Sequence, residues 1–182
     1  MYPDRRQVEQ LYGSLLEKLG WGEKHLTLFT TNYDPIPDEI MKVAKRTGLG
    51  CCDGFKDMGE WDASLYGGDA GIDIYRLHGS MSWVKRNGEI INTRDYSLRR
   101  GSTEHLLIYP GYKGNPEEGG EEAFALPHRM LRKSLLTADR LVGIGCSFRD
   151  PHINRILHDS AETYRKLNVF ANLIVDHLEG FR

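Results

Sequence analysis

The sequence predicts an α/β domain built around a mostly parallel central sheet, and three observations carry that prediction. Short apolar runs recur along the chain: His25–Thr30, Ile72–Leu77, Leu106–Tyr109, Leu141–Gly145 and Val169–Val175. Segments with helical spacing alternate with these runs, the pattern of a parallel sheet joined by right-handed crossovers. The runs are continuously apolar, as strands buried on both faces are. All 182 residues read as a single domain, too short for two and long enough to bury a core without covalent staples.

The first element is a helix. Asp4 is placed to cap it, with Gln7 three residues on, and Val8, Leu11, Tyr12, Leu15, Leu16 and Leu19 form its apolar stripe. Gly20 and Gly22 end it. The strand His25–Thr30 follows and breaks at Asn32-Tyr33-Asp34-Pro35. A second helix starts near Pro37, buries Ile40, Val43 and Ala44, and stops at Gly48. Residues 48 to 71 are rich in Gly and Asp, show no period, and read as an irregular loop; a loop of that length in a compact domain is often functional.

The second strand, Ile72–Leu77, ends at His78-Gly79-Ser80. Ser82-Trp83-Val84 and Ile90-Ile91 flank Asn87-Gly88, a strong hairpin-turn signal. Leu106–Tyr109 is predicted as a third core strand, stopped by Pro110-Gly111. The acidic, glycine-rich stretch Gly111–Glu122 reads as a surface loop. A helix is expected from Pro127, carrying Met130, Leu131, Leu135 and Leu136. Leu141–Gly145 is the fourth strand. The next helix has the clearest start in the chain, with Asp150 as N-cap and Pro151 as first helical residue. Ile153, Ile156, Leu157, Ala161 and Tyr164 form its buried face, and Val169–Val175 is the last strand.

Composition narrows the function. Hydrophobic residues make up 40% and charged residues 27%, an ordinary globular balance. A net charge of -2 argues against a nucleic-acid binder. The three cysteines, Cys51, Cys52 and Cys146, do not make a disulfide framework and suit a reducing compartment. No run reaches membrane-span length and no signal-peptide core opens the chain, so no membrane association and a cytoplasmic location are expected.

Ligands of parallel sheets bind beyond the carboxyl ends of the strands. Three strand ends carry polar residues: Thr30-Thr31-Asn32-Tyr33-Asp34, Leu77-His78-Gly79-Ser80, and Gly143 through Asp150. Each has a structural explanation when taken alone. Asn32 and Asp34 are turn formers ahead of prolines. His78 suits a hydrogen-bonded structural histidine, Gly145-Cys146-Ser147 a tight turn, and Asp150-Pro151 a helix cap. Their convergence on one rim is what points to a ligand site. Other chemistries fit worse. Gly145 through Arg149 lacks the second glycine of a nucleophile elbow. His152 and His158 do not share a helix face, and adjacent Cys51 and Cys52 lack a zinc spacing.

The patterns T-T-N-Y-D, L-H-G-S and G-x-S-x-R-D-P, in this order, resemble the SIR2-like family, relatives of the sirtuins, over roughly residues 24 to 176. The resemblance implies a Rossmann-like three-layer domain of the sirtuin/DHS-like kind, with NAD as substrate, cleaved at its nicotinamide–ribose bond. It implies catalytic roles for Asn32 and His78. It also implies NAD contacts from Thr31, Asp34, Gly79, Ser80, Gly145, Cys146 and Ser147, with Asp34 on the nicotinamide and ribose side and Gly145 and Ser147 on the adenine side. The four-cysteine zinc module of sirtuin deacylases cannot be built from three cysteines, so no zinc is expected. That favours the NAD-hydrolase branch, many of whose members act in antiphage defence. The family's opening strand and G-x-G-x-S loop have no counterpart ahead of Asn32, so a domain incomplete at its N-terminus is expected. Prolines 35 and 37 also delay the helix that follows the first motif. A protein deacylase, or a sensor that binds NAD or ADP-ribose without turnover, are the alternatives. Exposed sheet edges leave room for a homo-oligomer, an attached domain or a partner protein.

The residue types suit that chemistry. Cleaving the glycosidic bond of NAD builds oxocarbenium character on the ribose. A neutral amide orients a hydroxyl or a water without adding charge. An imidazole titrates near neutrality and accepts a proton. Gly145 allows close backbone approach, and a helix N-terminus at Asp150-Pro151 favours a diphosphate.

Overall fold

The computed structural model describes residues 6, 9–18, 20, 22–68, 71–96, 105–108, 116, 121–138, 140–145, 148–163 and 168–172. A π-helical turn, Glu9–Gly13, leads into helix α1 (Ser14–Lys18). The expected cap at Asp4, and Val8 and Leu19 of the predicted stripe, lie outside the described residues. Strands β1 (Leu26–Thr30), β2 (Cys51–Cys52) and β3 (Ile72–Arg76) form a parallel sheet in the order β1-β3-β2. Helix α2 (Ile36–Thr47) connects β1 to β2. It starts with Pro37 in its first turn, where a missing N–H costs nothing, and ends at Gly48 with φ 72°, the left-handed C-cap that glycine adopts without strain.

Strand side chains alternate between faces, and β1 divides accordingly. Leu26 and Leu28 pack with Leu16 of α1, Ile40 and Ala44 of α2, and Ile72 and Ile74 of β3. Phe29 joins the other cluster, where Leu77 meets Leu131 and Leu135 of helix α3 (Glu122–Thr137) and Ile153 and Ile156 of helix α4 (Pro151–Thr163). Helices therefore cover both faces of the parallel sheet. Full burial of each such Leu or Ile contributes roughly 1.5–3 kcal/mol.

A second sheet is antiparallel, in the order β5-β4-β6, from β4 (Gly79–Arg86), β5 (Glu89–Asn92) and β6 (His105–Leu107). The β4–β5 hairpin turns on Asn87 (φ 52°) and Gly88 (φ 86°), as the sequence signalled. Trp83, Ile90, Phe55 and Ala123 form its core. The run expected as a third core strand is β6, and it belongs here, pairing antiparallel with β4. Gly79 pairs with Leu107 and Val84 with His105, so the run completes the antiparallel sheet on the side of β4 opposite β5. Strands β7 (Arg140–Ile144) and β8 (Asn168–Asn172) form a separate parallel pair.

Two further expectations are corrected. Helix α3 starts at Glu122, ahead of Pro127. A proline inside a helix removes one hydrogen bond; here Ala123, Ala125 and Pro127 are all buried, and that packing holds the turn. The segment 48–71 is not irregular throughout. It contains β2, a short 3-10 helix (Ala63–Leu65) whose N-cap Asp62 accepts from the Ser64 N–H, and a bridge between Phe55 and Trp61. A two-residue strand is too short to show a period.

Candidate functional site

The register of the parallel sheet sets the site. Thr30 and Arg76 are the last paired residues of β1 and β3, and the Leu77 N–H donates to the Thr30 carbonyl at 2.9 Å. Asn32 and His78 thus each lie two residues past the same rung. The Asn32 N–H donates to Thr30 Oγ1 at 3.1 Å, and its side chain is exposed. Tyr33 donates its hydroxyl to the Ile108 carbonyl at 2.6 Å, while the Ile108 N–H donates to the His78 carbonyl at 3.0 Å. This latch holds the two loops together, with the Tyr33 and His78 rings 6.2 Å apart.

His78 connects all three strand ends. Its side chain is 12% exposed, and Nε2 lies 2.9 Å from Asp150 Oδ2, on the segment leaving β7. The ring also hydrogen-bonds the backbone of Thr31, next to Asn32. Burial pulls the His78 pKa below its ordinary value, and His152 pulls the same way. The Asp150 carboxylate and the Thr31 hydrogen bond oppose the shift without cancelling it. The ring is therefore biased toward the neutral form, which accepts protons.

Asp150 also performs the expected cap: Oδ1 accepts from the His152 and Ile153 N–H groups at 2.8 and 3.0 Å. Asn154 Nδ2 donates to the Phe148 carbonyl at 2.6 Å, fixing the turn before the helix. Phe148 itself holds φ 50°.

A buried ionic cluster supports the Asn32 loop from beneath. Arg76, 1% exposed, donates from Nη1 to the Asp34 carbonyl at 3.1 Å and from Nη2 to Asp38 Oδ2 at 2.8 Å and to the Tyr96 hydroxyl at 3.0 Å. Arg94 pairs with Asp38 and grips both oxygens of Asp53, at 2.5 and 3.1 Å. Burial works against the charged Arg94, but its bonds to Asp53 and Asp38 outweigh that and raise its pKa. Tyr96 is pushed up to about 12, first by burial, and so stays protonated and donates to Asp38.

A groove of about 380 Å³ runs beside β1 toward β7, lined by Leu28, Leu131, Leu141 and Ile144, with Asn32 and Asp34 also in its wall. Its size falls within the roughly 300–1,000 Å³ of ligand sites, and an apolar wall with a few polar groups is their usual make-up. His78 is not in the groove wall; it reaches the rim through Thr31. A larger cleft, about 700 Å³, lies beside α2 against Lys42, Lys45 and Arg94, and holds neither Asn32 nor His78.

The other predicted contacts separate into groups. Asn32 and Asp34 share the groove wall, and the backbone of Thr31, next to Asn32, bonds the His78 ring. Asp34 spends Oδ1 on the Ile36 N–H at 3.0 Å, a local turn bond that starts α2. Gly145 stands beyond β7 with φ 61° and open space where a side chain would be. Cys146 and Ser147 lie outside the described residues. Gly79 and Ser80 turn inward. A Cβ on Gly79 would lie 2.3 Å from the Leu106 carbonyl oxygen and 2.7 Å from Phe124. Ser80 is fully buried, with Oγ bonded to Ser82 and Tyr96. The structure gives both residues a packing role.

Sequence reading missed two parts of the site: the His78 contact of Asp150, hidden behind its obvious cap, and the Arg76 anchor. The signal for Arg76 was an arginine closing an otherwise buried strand, which demands carboxylate partners. Among the described residues no group of three or more His, Cys, Asp or Glu is arranged to hold a metal, and no helix is long and apolar enough to cross a membrane.

A parallel three-stranded sheet covered by helices on both faces, with polar groups past its strand ends, defines a mixed α/β protein. The SIR2-like domain family model matches residues 26–176, and the chain belongs to that family. Membership gives it an NAD-related function. No curated protein matches the sequence.

Proposed function

We propose that this chain hydrolyses NAD to ADP-ribose and nicotinamide. The observation that carries the reading is the meeting of His78 with the Thr31–Asn32 loop at the carboxyl ends of β1 and β3. The groove beside it, walled by Asn32 and Asp34, supports a place for the nicotinamide riboside end. A Rossmann-like arrangement belongs to the same reading, since the site lies past the ends of a parallel sheet with helices on both faces.

In this mechanism the bond between the ribose C1′ and the nicotinamide nitrogen breaks. Its electron pair goes to the ring nitrogen, which neutralises the pyridinium and makes nicotinamide a good leaving group. Asn32 orients the ribose or the attacking water. The water oxygen bonds to C1′, and His78, held neutral by burial, takes the proton. The ribose carries oxocarbenium character at the transition state, so water must be delivered in register with bond cleavage. Asn32 supplies position, not charge.

The test is nicotinamide release from NAD, followed chromatographically. Wild type is expected to turn over; Asn32→Ala and His78→Ala are each expected to lose on the order of a hundredfold or more in kcat. Equal rates for wild type and Asn32→Ala remove Asn32 from the mechanism. Tight ADP-ribose binding by calorimetry with no nicotinamide release makes the chain a sensor instead.

A further inference from the structure

We propose that Asp150 is a positioning residue for His78, one oxygen fixing the imidazole at the rim while the other caps α4. The inference rests on the hydrolase reading and adds to it a residue that does not touch substrate.

The argument starts from what a cap requires. A helix N-terminus needs one side-chain oxygen to accept from the second or third N–H, and Asn, Ser or Thr supply it as well as Asp does. Asp150 meets that need with Oδ1 alone. Its second oxygen is surplus to the cap, and it lies 2.9 Å from His78 Nε2. Both side chains are partly withdrawn from solvent, 26% exposed for Asp150 and 12% for His78. The contact is therefore less screened than a surface pair. Two backbone N–H bonds fix the plane of the Asp150 carboxylate. His78 is thus oriented by a group that is itself held by a helix.

The consequence for chemistry is specific. A carboxylate oxygen at Nε2 holds a proton on that nitrogen. This sets the tautomer and the ring plane, and it stabilises the imidazolium formed once His78 has accepted a proton. The Thr31 backbone also bonds the ring and favours its protonated form, but it brings no negative charge. His152 from the start of α4 carries the opposite influence. His128 from α3 stacks with ring centroids 6.5 Å away, and Tyr33 stands 6.2 Å off. Asp150 is the acidic group among them.

Because the cap tolerates a neutral oxygen, the two roles separate experimentally. Asp150→Asn and Asp150→Ser keep a cap oxygen and remove the charge; Asp150→Ala removes both. Two readouts are taken on the full chain: the His78 titration by histidine NMR, assigned with His78→Gln, and kcat and KM for nicotinamide release from NAD across the acid limb. In Asp150→Asn and Asp150→Ser the His78 midpoint is expected to move to lower pH. The acid limb of kcat should move with it. At its plateau kcat is expected to fall about ten- to a hundredfold, with KM within about twofold and thermal melting close to wild type. Asp150→Glu is expected to restore the His78 midpoint in part. A His78 titration unchanged in both neutral-cap variants overturns the proposal, as does full kcat in both. If wild type releases no nicotinamide, the hydrolase reading falls by itself, and the NMR titration still decides whether Asp150 governs His78.

Discussion

Arg76 donates to the backbone carbonyl of Asp34 at 3.1 Å, so the end of β3 grips the loop that carries Asn32. The same guanidinium bonds Asp38 and Tyr96, and Arg94 completes the balance with Asp38 and Asp53. Two buried carboxylates thus face two guanidinium groups. Removing one partner of such a set leaves an uncompensated charge, at a cost of about 3–5 kcal/mol. Arg76→Met is therefore expected to lower the unfolding free energy, measured by urea denaturation, by about 3–5 kcal/mol. Arg76→Lys keeps the charge, but one ammonium cannot reproduce the fork that spans three acceptors; it should recover part of the stability and little of the activity. Equal stability for wild type and Arg76→Met would show that the cluster contributes nothing.

Gly79 is demanded by packing as well as by backbone conformation. Its φ of 78° lies where side chains are strained, and a Cβ would sit 2.3 Å from the Leu106 carbonyl oxygen, on the neighbouring strand β6. Gly79→Ala must push β6 away from β4 or break the turn after His78. A loss of at least 1–3 kcal/mol is expected from the backbone strain alone, on the order of magnitude seen for such positions. Nicotinamide release should fall with it, because the turn carries His78. Gly88→Ala is the control: φ is 86° there, but nothing lies within 4 Å, so it should lose stability without losing the His78 turn.

The pH dependence of stability follows from the sign of the His78 shift. Its native pKa is lowered by burial, so the native chain resists a proton that the unfolded chain accepts near pH 6.5, the usual value. Above that pH the ring is neutral in both states and the contribution to stability is complete. As pH falls through about 6.5 the unfolded state binds more protons, and stability declines until the native pKa is reached. His78→Gln cannot charge. Between neutral and mildly acidic pH, urea unfolding of wild type should therefore lose more stability than unfolding of His78→Gln. A parallel decline in the two would remove His78 from the linkage.

Much of this architecture is legible in the residues. The continuous apolar runs identified strands β1, β3 and β7, of which β3 alone is buried throughout while Val142 and Ile144 of β7 stay exposed; Asn87-Gly88 identified the hairpin, and Asp150-Pro151 identified the start of α4. What escaped was decided by partners far away in sequence. Leu106 and Leu107 lie on β6 beside β4 and not in the parallel sheet, a choice of long-range partner that no local pattern encodes. Pro127 looks like a helix start because proline usually is one; its tolerance inside α3 comes from burial of Ala123 and Ala125. The site shows the same division. The motifs name Asn32 and His78, and the register of β1 with β3 puts each two residues past the same last rung. The inward turn of Ser80 and the second bond of Asp150 depend on contacts with Ser82, Tyr96 and His78 that only the folded chain assembles.

The cysteines of β2 offer a probe of the sheet edge next to the site. Cys51 and Cys52 pair with Ile72 and Asp73 of β3, the strand that ends in Arg76 and leads to His78. Burial pushes the Cys52 thiol up to about 11, helped by Asp73 and Asp53, and pushes Cys51 higher. Thiolate is the reactive form, and a shift from an ordinary thiol near 8.5 to about 11 cuts the thiolate fraction at mildly alkaline pH on the order of a hundredfold or more. In a Cys146→Ser background, alkylation of the two remaining thiols is expected to be slower by at least that factor in the folded chain than in urea. Arg76→Met, by loosening the end of β3, should narrow the gap through local opening. Rapid alkylation of the folded Cys146→Ser chain would mean that β2 does not stay on β3, and that the edge flanking the His78 strand is open.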